Sequence, residues 1–252
     1  MNALGEVKAE GARLTALKFE IGARTLMQVQ RSLQRVPLNL AEARSGVLPE
    51  LPPLAREAHG YSITSLPEPL VPEVIKASGG MLPFVRQRYT RYYVDFACGF
   101  EPWFAGLSSS ARQGLRRKAR KIAAESGGDL DVRAFRTPAE LEAFHDVARR
   151  ISLHTYQERL LGSGLPDTPE FIAGMLALAA AGRVRAWLLY IAGEPAAYLY
   201  CPADGDTLLY AYVGHDPAFD DWSPGAVLQL QALQETFDEG QFAHFDFTEG
   251  EG

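Results

Sequence analysis

The sequence predicts an α/β (α+β) fold with a mixed, mostly antiparallel central sheet, preceded by a β-rich N-terminal subdomain. The chain has 252 residues, of which 47% are hydrophobic, and this is enough to bury two modest cores. Residues 1–107 contain strand-like runs and a proline-rich stretch, whereas residues 108–252 alternate helical and strand patterns. We therefore expect two domains with these bounds.

The N-terminal subdomain is predicted from runs in which apolar and polar residues alternate. Residues 13–21 and 25–30 have this strand pattern on either side of a Gly-Ala pair. Residues 49–72 are rich in proline, which predicts long loops. A further alternating run over residues 84–96 predicts an extended strand or a hairpin arm.

Capping signals locate the helices of the second half. The three serines at residues 108–110 suit the start of a strongly basic helix. Thr137 and Glu140 have the spacing of a capping box, and Pro138 suits the first helical position. A similar Thr-Pro-Glu sequence at residues 168–170 predicts a helix that ends near Ala181.

Five strands are predicted between and after these helices. They cover residues 129–135, 183–191, 196–201, 207–213 and 244–247. Turns at residues 192–195 and 203–206 contain glycine beside polar residues or proline, so the middle three strands should form an antiparallel meander.

The turn at residues 222–228 joins the strand at 207–213 to a predicted helix over residues 225–239. Ser223 suits the N-cap, Pro224 suits the first helical position, and Gly225 has no Cβ to keep a ligand away from the backbone. The free N–H groups and the dipole of such a helix start can receive a pyrophosphate. The alternative is an ordinary cap on a surface helix.

Composition and missing motifs exclude several classes of protein. The net charge of −6 argues against broad coating of nucleic acid. Cys98 and Cys201 lack the spacing of a disulfide framework or a thiolate metal site, so we expect two free thiols. No histidine spacing, GxSxG elbow or glycine-rich dinucleotide motif indicates a metal site, a serine hydrolase or a nucleotide-dependent oxidoreductase. We predict no metal.

The sequence also has no segment that suggests transfer into or across a membrane. Residues 1–14 lack the apolar core of a signal peptide, and the longest apolar stretch, over residues 171–181, is too short to cross a bilayer. A cytoplasmic location is therefore the default expectation. The oligomeric state stays open, because no heptad seam is present.

Five motifs in a fixed order carry a resemblance to a known family. They are Ser110-x-Arg112-x-x-Leu115-Arg116-Arg117-Lys118-x-Arg120, Thr155-Tyr156-Gln157 followed by Gly164-Leu165, Gly193-Glu194-Pro195-Ala196-Ala197, Ser223-Pro224-Gly225, and Phe245-Asp246-Phe247-Thr248-x-Gly250. With the order of elements from residue 129 onward, they resemble the GCN5-related N-acetyltransferase (GNAT) fold. Within it, the chain is similar to the acetyltransferases associated with cellulose or exopolysaccharide biosynthesis, and to the Fem-type aminoacyl transferases, which contain two GNAT-like domains.

The resemblance implies that the first half is a partial or degenerate GNAT-like copy and that the second half is an acetyltransferase domain. Complete GNAT domains continue past the strand at 244–247 with another helix and strands, and family members usually carry a Tyr-Lys pair after the acidic glycine-rich turn. The sequence ends at Gly252 without them. We therefore expect a domain truncated at its C-terminus.

The resemblance also implies acyl-CoA, most simply acetyl-CoA, as a co-substrate held between the strands at 207–213 and 244–247. The expected carrier-binding residues are Tyr212, Val213, Ser223, Pro224, Gly225, Ala226 and Val227. Asp246 is the candidate proton acceptor, since burial between aromatic neighbours would favour a basic carboxylate. The alternative is a structural aspartate that bonds a neighbouring loop. Glu249 and His215 are weaker candidates, and His215 also suits a turn.

The acceptor is expected to meet the basic helix and the loop after residue 154. Arg112 and Arg116 share a helical ridge that can grip phosphates, and Tyr156 and Gln157 can orient an acceptor. The alternative for the basic helix is a solvated face that pairs with the acidic surplus elsewhere.

Three functions remain open from the sequence. The first is direct transfer of an acyl group from acyl-CoA to an amine or hydroxyl of a sugar or cell-envelope precursor. The second is Fem-like transfer of an amino acid from charged tRNA, with the basic helix as the RNA contact. The third is a GNAT-shaped module that binds a partner without catalysis.

Overall fold

A computed structural model describes residues 10–21, 24–155 and 164–249. The chain divides into two compact units, one that extends to Arg91 and one that begins at Tyr92. The domain boundary predicted at residues 107 and 108 falls inside the second unit and stays a proposal.

The first unit is built around a long β-hairpin. Its strands are β1 (Glu10–Ile21) and β2 (Arg24–Pro37), which pair antiparallel, and β3 (Gly60–Thr64) adds to β2 in parallel. The helices are α1 (Leu40–Ser45) and α2 (Val71–Ala77). The two predicted strand runs are thus confirmed, and both strands are longer than predicted.

The second unit contains the elements that build the site. Its helices are α3 (Phe100–Gly106), α4 (Ser109–Glu125), α5 (Pro138–His154), α6 (Pro169–Ala180) and α7 (Pro224–Glu239). Its strands are β4 (Arg91–Asp95), β5 (Asp131–Phe135), β6 (Val184–Ile191), β7 (Glu194–Asp204), β8 (Thr207–Leu209), β9 (Tyr212–His215) and β10 (His244–Glu249). A 3-10 helix, Pro217–Trp222, lies between β9 and α7.

These strands form one mixed sheet in the order β4-β10-β8-β7-β6-β5, with β9 also paired to β7. The pairs from β5 through β8 are antiparallel, and β10 joins β8 in parallel. The predicted fold class, a mixed and mostly antiparallel sheet with helices, is confirmed.

Two buried clusters cover the two faces of this sheet. Trp187 and Leu189 of β6 pack into a cluster with residues of α4 and α7, whereas Ala186 and Leu188 pack into a cluster with α5 and α6. Side chains of a strand alternate between faces, so β6 is buried on both sides. Among the described residues, no helix is long and apolar enough to cross a membrane.

The capping predictions are confirmed in detail. Thr137 accepts from the Glu140 backbone N–H, and the Glu140 carboxylate accepts from the Thr137 backbone N–H. Ser108 and Thr168 cap α4 and α6 with their hydroxyl groups. These caps satisfy N–H groups that have no partner inside the helix.

Two strand predictions are wrong in extent. The run over residues 84–96 forms a strand only at Arg91–Asp95, and residues 81–90 have no regular structure. The run over residues 207–213 is divided into β8 and β9. The reason for this division lies in the pairing with β7 and shapes the candidate site.

Candidate active site

A β-bulge separates β8 from β9. Leu208 pairs with Ala203 of β7, and Tyr212 pairs with Tyr200 of the same strand. Tyr212 is four residues after Leu208, whereas Tyr200 is three residues before Ala203. One extra residue is therefore inserted between β8 and β9. An inserted residue bends the strand and interrupts the ladder, and bulges of this kind are common beside active sites.

Beyond the bulge, β9 leaves β10. The parallel pairing joins Thr207 to His244 and Leu209 to Asp246, and the Tyr210 N–H then donates to the Asp246 carbonyl at 2.8 Å. In the described part of the chain, β9 pairs with β7 alone. The β9 edge that faces away from β7 is therefore open for hydrogen bonding to an extended ligand.

Tyr212 and Val213, the two predicted carrier contacts on β9, direct their side chains to opposite faces of the sheet. Tyr212 packs against Phe171, with ring centroids 5.6 Å apart, whereas Val213 packs against the cluster on the α7 face. Backbone groups, and not these side chains, are thus what β9 offers along its open edge.

The start of α7 differs from the predicted cap. Ser223 occupies the N-cap position, but its backbone is left-handed, with φ 50° and ψ 54°, and its hydroxyl makes no capping hydrogen bond. The predicted N-cap position of Ser223 is therefore confirmed, but its side chain does not cap the helix, because a side-chain cap requires an extended N-cap backbone. Ser223 contributes its carbonyl, which accepts from the Ala226 N–H at 3.2 Å.

The next residues leave the helix start accessible. Pro224 and Val227 are buried and anchor the first turn, whereas Gly225 and Ala226 are half-buried. A Cβ placed on Gly225 would meet nothing within 4 Å. The N–H groups of a helix start without a side-chain cap can receive an anion, and open space at Gly225 lets it approach.

Lys121 of α4 contacts the segment that leads into this turn. Its Nζ lies 4.0 Å from the centroid of the Trp222 ring and donates to the Asp221 carbonyl at 3.3 Å. Arg116 lies instead over Phe104, at 5.2 Å from the ring centroid, and Arg112 is nine residues before Lys121, about 14 Å along the axis. Among described contacts, Lys121 is thus the α4 cation that reaches the segment before α7.

Asp246 lies in β10, where this strand parts from β9, and is fully buried. Its Oδ1 accepts from the backbone N–H of Thr248 at 2.9 Å, and Thr248 has a left-handed backbone, with φ 58°. The carboxylate therefore holds the turn at the end of β10, and it lies beside the region expected to hold a thioester.

The Cys201 thiol and the Tyr210 phenol beside the bulge are held in their neutral forms. Burial raises the pKa of the Cys201 thiol, and this effect exceeds the opposing contact with the Ala211 backbone. Burial also raises the pKa of Tyr210 to about 12, with a further contribution from Cys201. Neither group is therefore an ionised nucleophile at neutral pH. As predicted, Cys98 and Cys201 are free cysteines.

Comparison with known proteins identifies this domain. Residues 109–251 match the model of the family described as Acetyltransferase (GNAT) domain, which covers more than half of the chain. The chain belongs to the GNAT family. This GNAT acyltransferase has no match among curated proteins.

Solved structures with the same fold are related only distantly in sequence. FemX is 12% identical with a TM-score of 0.53, and the match covers 96% of this chain and 80% of that one. A protein of unknown function from Bacteroides thetaiotaomicron is 14% identical with a TM-score of 0.52, at 72% and 58% coverage. The C-terminal domain of a Putative Lysylphosphatidylglycerol Synthetase from Agrobacterium fabrum is 12% identical with a TM-score of 0.50, at 76% and 53% coverage. At these identities the likeness shows the fold.

The predicted acceptor residues of this GNAT acyltransferase are only partly described. Tyr156 and Gln157 lie outside the described residues. The described residues on either side of that segment are tied together, because the Ser152 hydroxyl accepts from the Leu165 N–H at 2.8 Å. Arg112 and Arg116 lie on α4 as predicted, and their role stays a proposal.

The weaker catalytic candidates lie at turns or strand ends. His215 Nε2 is 2.7 Å from Asp220 Oδ1, a contact that closes the turn after β9. Glu249 is the last residue of β10. Within the described ranges, no three His, Cys, Asp or Glu residues are grouped to hold a metal ion.

Sequence reasoning missed the bulge and the position of Lys121. The basic character of α4 is visible in the sequence, but six of its residues are cationic and only packing distinguishes them. Ile122, the neighbour of Lys121, is fully buried in the cluster that contains Val227 and Leu228 of α7. The apolar residue Ile122 within this strongly basic helix was the sequence signal that could have shown which face of α4 packs against the core.

Proposed function

We propose that this GNAT acyltransferase transfers an acyl group, most simply acetyl, from acyl-CoA directly to an amine or hydroxyl of a sugar or cell-envelope precursor. The assignment of acyl-CoA to this site depends on the open edge of β9. A short segment connects β9 to the start of α7, which has no side-chain cap. Backbone groups at Tyr212 and Val213 suit a pantetheine arm, and residues 223–227 suit a pyrophosphate. The acceptor class is supported by the sequence resemblance.

The chemistry requires that the acceptor attack the thioester carbonyl carbon, that the C–S bond break, and that CoA leave as a thiolate. The acceptor loses a proton, and we assign it to Asp246, whose carboxylate lies where β10 and β9 part. Backbone N–H groups near the bulge would stabilise the developing oxyanion.

Calorimetric titration with acetyl-CoA and longer acyl-CoAs tests the carrier site. Gly225→Glu places bulk and negative charge at the helix start, so we expect binding to be lost while the fold is kept. The matched control is Gly174→Glu, on the exposed surface of α6, where a Cβ also meets nothing within 4 Å. Failure of the folded parent chain to bind any acyl-CoA would overturn the proposal.

Asp246→Asn separates catalysis from turn structure. Asparagine retains the oxygen that accepts from the Thr248 N–H but removes the basic carboxylate. We expect a loss of roughly 100-fold or more in kcat for an acceptor found by mass spectrometry, with little change in melting temperature. Full activity in this variant would leave Asp246 with a structural role alone.

Transfer from charged tRNA is a second candidate, favoured by the charge of α4. None of its six cationic side chains forms an ion pair with a carboxylate among the residues that the structure describes. A steep decrease in tRNA affinity with salt, together with no affinity for acyl-CoA, would favour this function.

A further inference from the structure

The segment between β9 and α7 has an acidic character that opposes anion binding. It contains Asp216, Asp220 and Asp221 within residues 216–222. His215 Nε2 lies 2.7 Å from Asp220 Oδ1, and His154 Nδ1 lies 3.4 Å from Asp216 Oδ2. A diphosphate at the adjoining helix start would meet like charge, so a nearby cation is required.

Lys121 is placed to supply that cation. Its ammonium lies over the Trp222 ring, one residue before Ser223, and one N–H donates to the Asp221 carbonyl. An ammonium group has three donors, so others remain for a ligand. The Trp222 ring attracts the cation to one side and limits its positions.

The backbone that carries Lys121 is fixed relative to the helix start. The adjacent Ile122 is fully buried in the cluster that contains Val227 and Leu228 of the first turns of α7. The donor on α4 and the N–H groups of α7 are therefore presented by two helices that share a core.

We propose that Lys121 binds the diphosphate of the acyl carrier, with Trp222 as the residue that positions its ammonium. This inference rests on the proposed function and adds a cationic ligand from another helix. The backbone N–H of Gly225 contacts one side of the diphosphate. Lys121 neutralises the negative charge of the diphosphate, which Asp220 and Asp221 would otherwise repel.

Affinity for acetyl-CoA in charge variants tests the assignment. We expect Lys121→Gln to raise Kd roughly tenfold, and Lys121→Arg to restore most of the affinity because it keeps the charge. Lys76→Gln makes the same change of net charge on the exposed surface of α2, in the other unit, and should leave Kd unchanged. Equal Kd values for Lys121→Gln and Lys76→Gln would overturn the inference.

A second ligand identifies which phosphate is bound. Acetyl-dephospho-CoA retains the diphosphate and lacks the 3′-phosphate, so Lys121→Gln should weaken its binding by the same factor. If Lys121→Gln raises Kd for acetyl-CoA but not for acetyl-dephospho-CoA, Lys121 contacts the 3′-phosphate and the diphosphate assignment is overturned. If the parent binds acetyl-CoA, Gly225→Glu does not, and Lys121→Gln binds as tightly as the parent, this inference alone is rejected. If the parent binds neither ligand, the proposed function is rejected.

Discussion

The two ends of α7 differ in how their polar groups are satisfied. At the C-terminal end, Arg185 forms hydrogen bonds with Glu239 and Gln241, and Glu235 accepts from Trp187 and from Arg136. Arg185 is nearly fully buried, with 5% of its side chain exposed. Charges at this end are thus paired within the protein.

The N-terminal end is left open by comparison. Ser223 makes no side-chain cap, Gly225 borders open space, and Lys121 uses one donor on a carbonyl. The same helix is therefore closed where it stabilises the fold and open where we propose that it binds a carrier. Substitutions at the closed end should change stability, and substitutions at the open end should change binding.

The largest effect is expected from breaking the closed end. Arg185→Ala leaves the Glu239 carboxylate without its main partner, so we expect the free energy of unfolding to decrease by about 3–5 kcal/mol. Urea unfolding measures this loss. The double variant Arg185→Met with Glu239→Leu should recover most of it, because neither charge is then buried alone. A single variant as stable as the parent would show that the pair contributes nothing.

A smaller loss of stability is expected at Gly214 of β9. An added Cβ would lie 2.5 Å from the ring of Tyr198, which is almost fully buried. We expect Gly214→Ala to cost about 1–3 kcal/mol in thermal or urea unfolding. Gly114→Ala on α4 is the matched control, since its Cβ meets nothing within 4 Å and alanine favours a helix. Equal stabilities of the two variants would contradict the close packing of β9.

The stability contributed by the closed end should also depend on pH. Burial by itself raises the pKa of Glu239, but hydrogen bonds from Arg185 and the charges of Arg185 and Arg136 outweigh it and lower the pKa below its usual 4.5. The ionised form therefore stabilises the fold fully above pH 4.5, and this contribution is lost as pH falls through the folded-state pKa.

The measurement compares the parent with Glu239→Gln in urea at a series of pH values. We expect the parent to be more stable at pH 7 and the difference to shrink below pH 4.5, by up to about 1.4 kcal/mol for each unit of pKa shift. A difference that stays constant across the series would show that Glu239 gains nothing from its charge.

Much of the closed framework was predictable, because local signals determine it. The Thr137–Glu140 capping box and the nearly continuous apolar run of β6 are both visible in the sequence. The open end depended on tertiary contacts. Nothing in the residue type of Ser223 indicates a left-handed backbone, and the bulge after Leu209 exists only relative to its pairing with β7. The choice of Lys121 among the cations of α4 likewise follows from packing on α7.

The smallest change in stability is expected at Gly225. A substitution there should change binding without a loss of stability, unlike substitutions at the closed end. Gly225→Ala adds a methyl group that meets nothing within 4 Å at the second position of α7, so we expect stability to rise by about 0.5 kcal/mol. The same methyl occupies the space through which a diphosphate approaches, so Kd for acetyl-CoA should rise severalfold. Gly174→Ala on α6 should give a similar gain in stability with unchanged Kd. If both variants bind acetyl-CoA like the parent, the start of α7 is an ordinary helix terminus, and the contrast between its ends concerns stability alone.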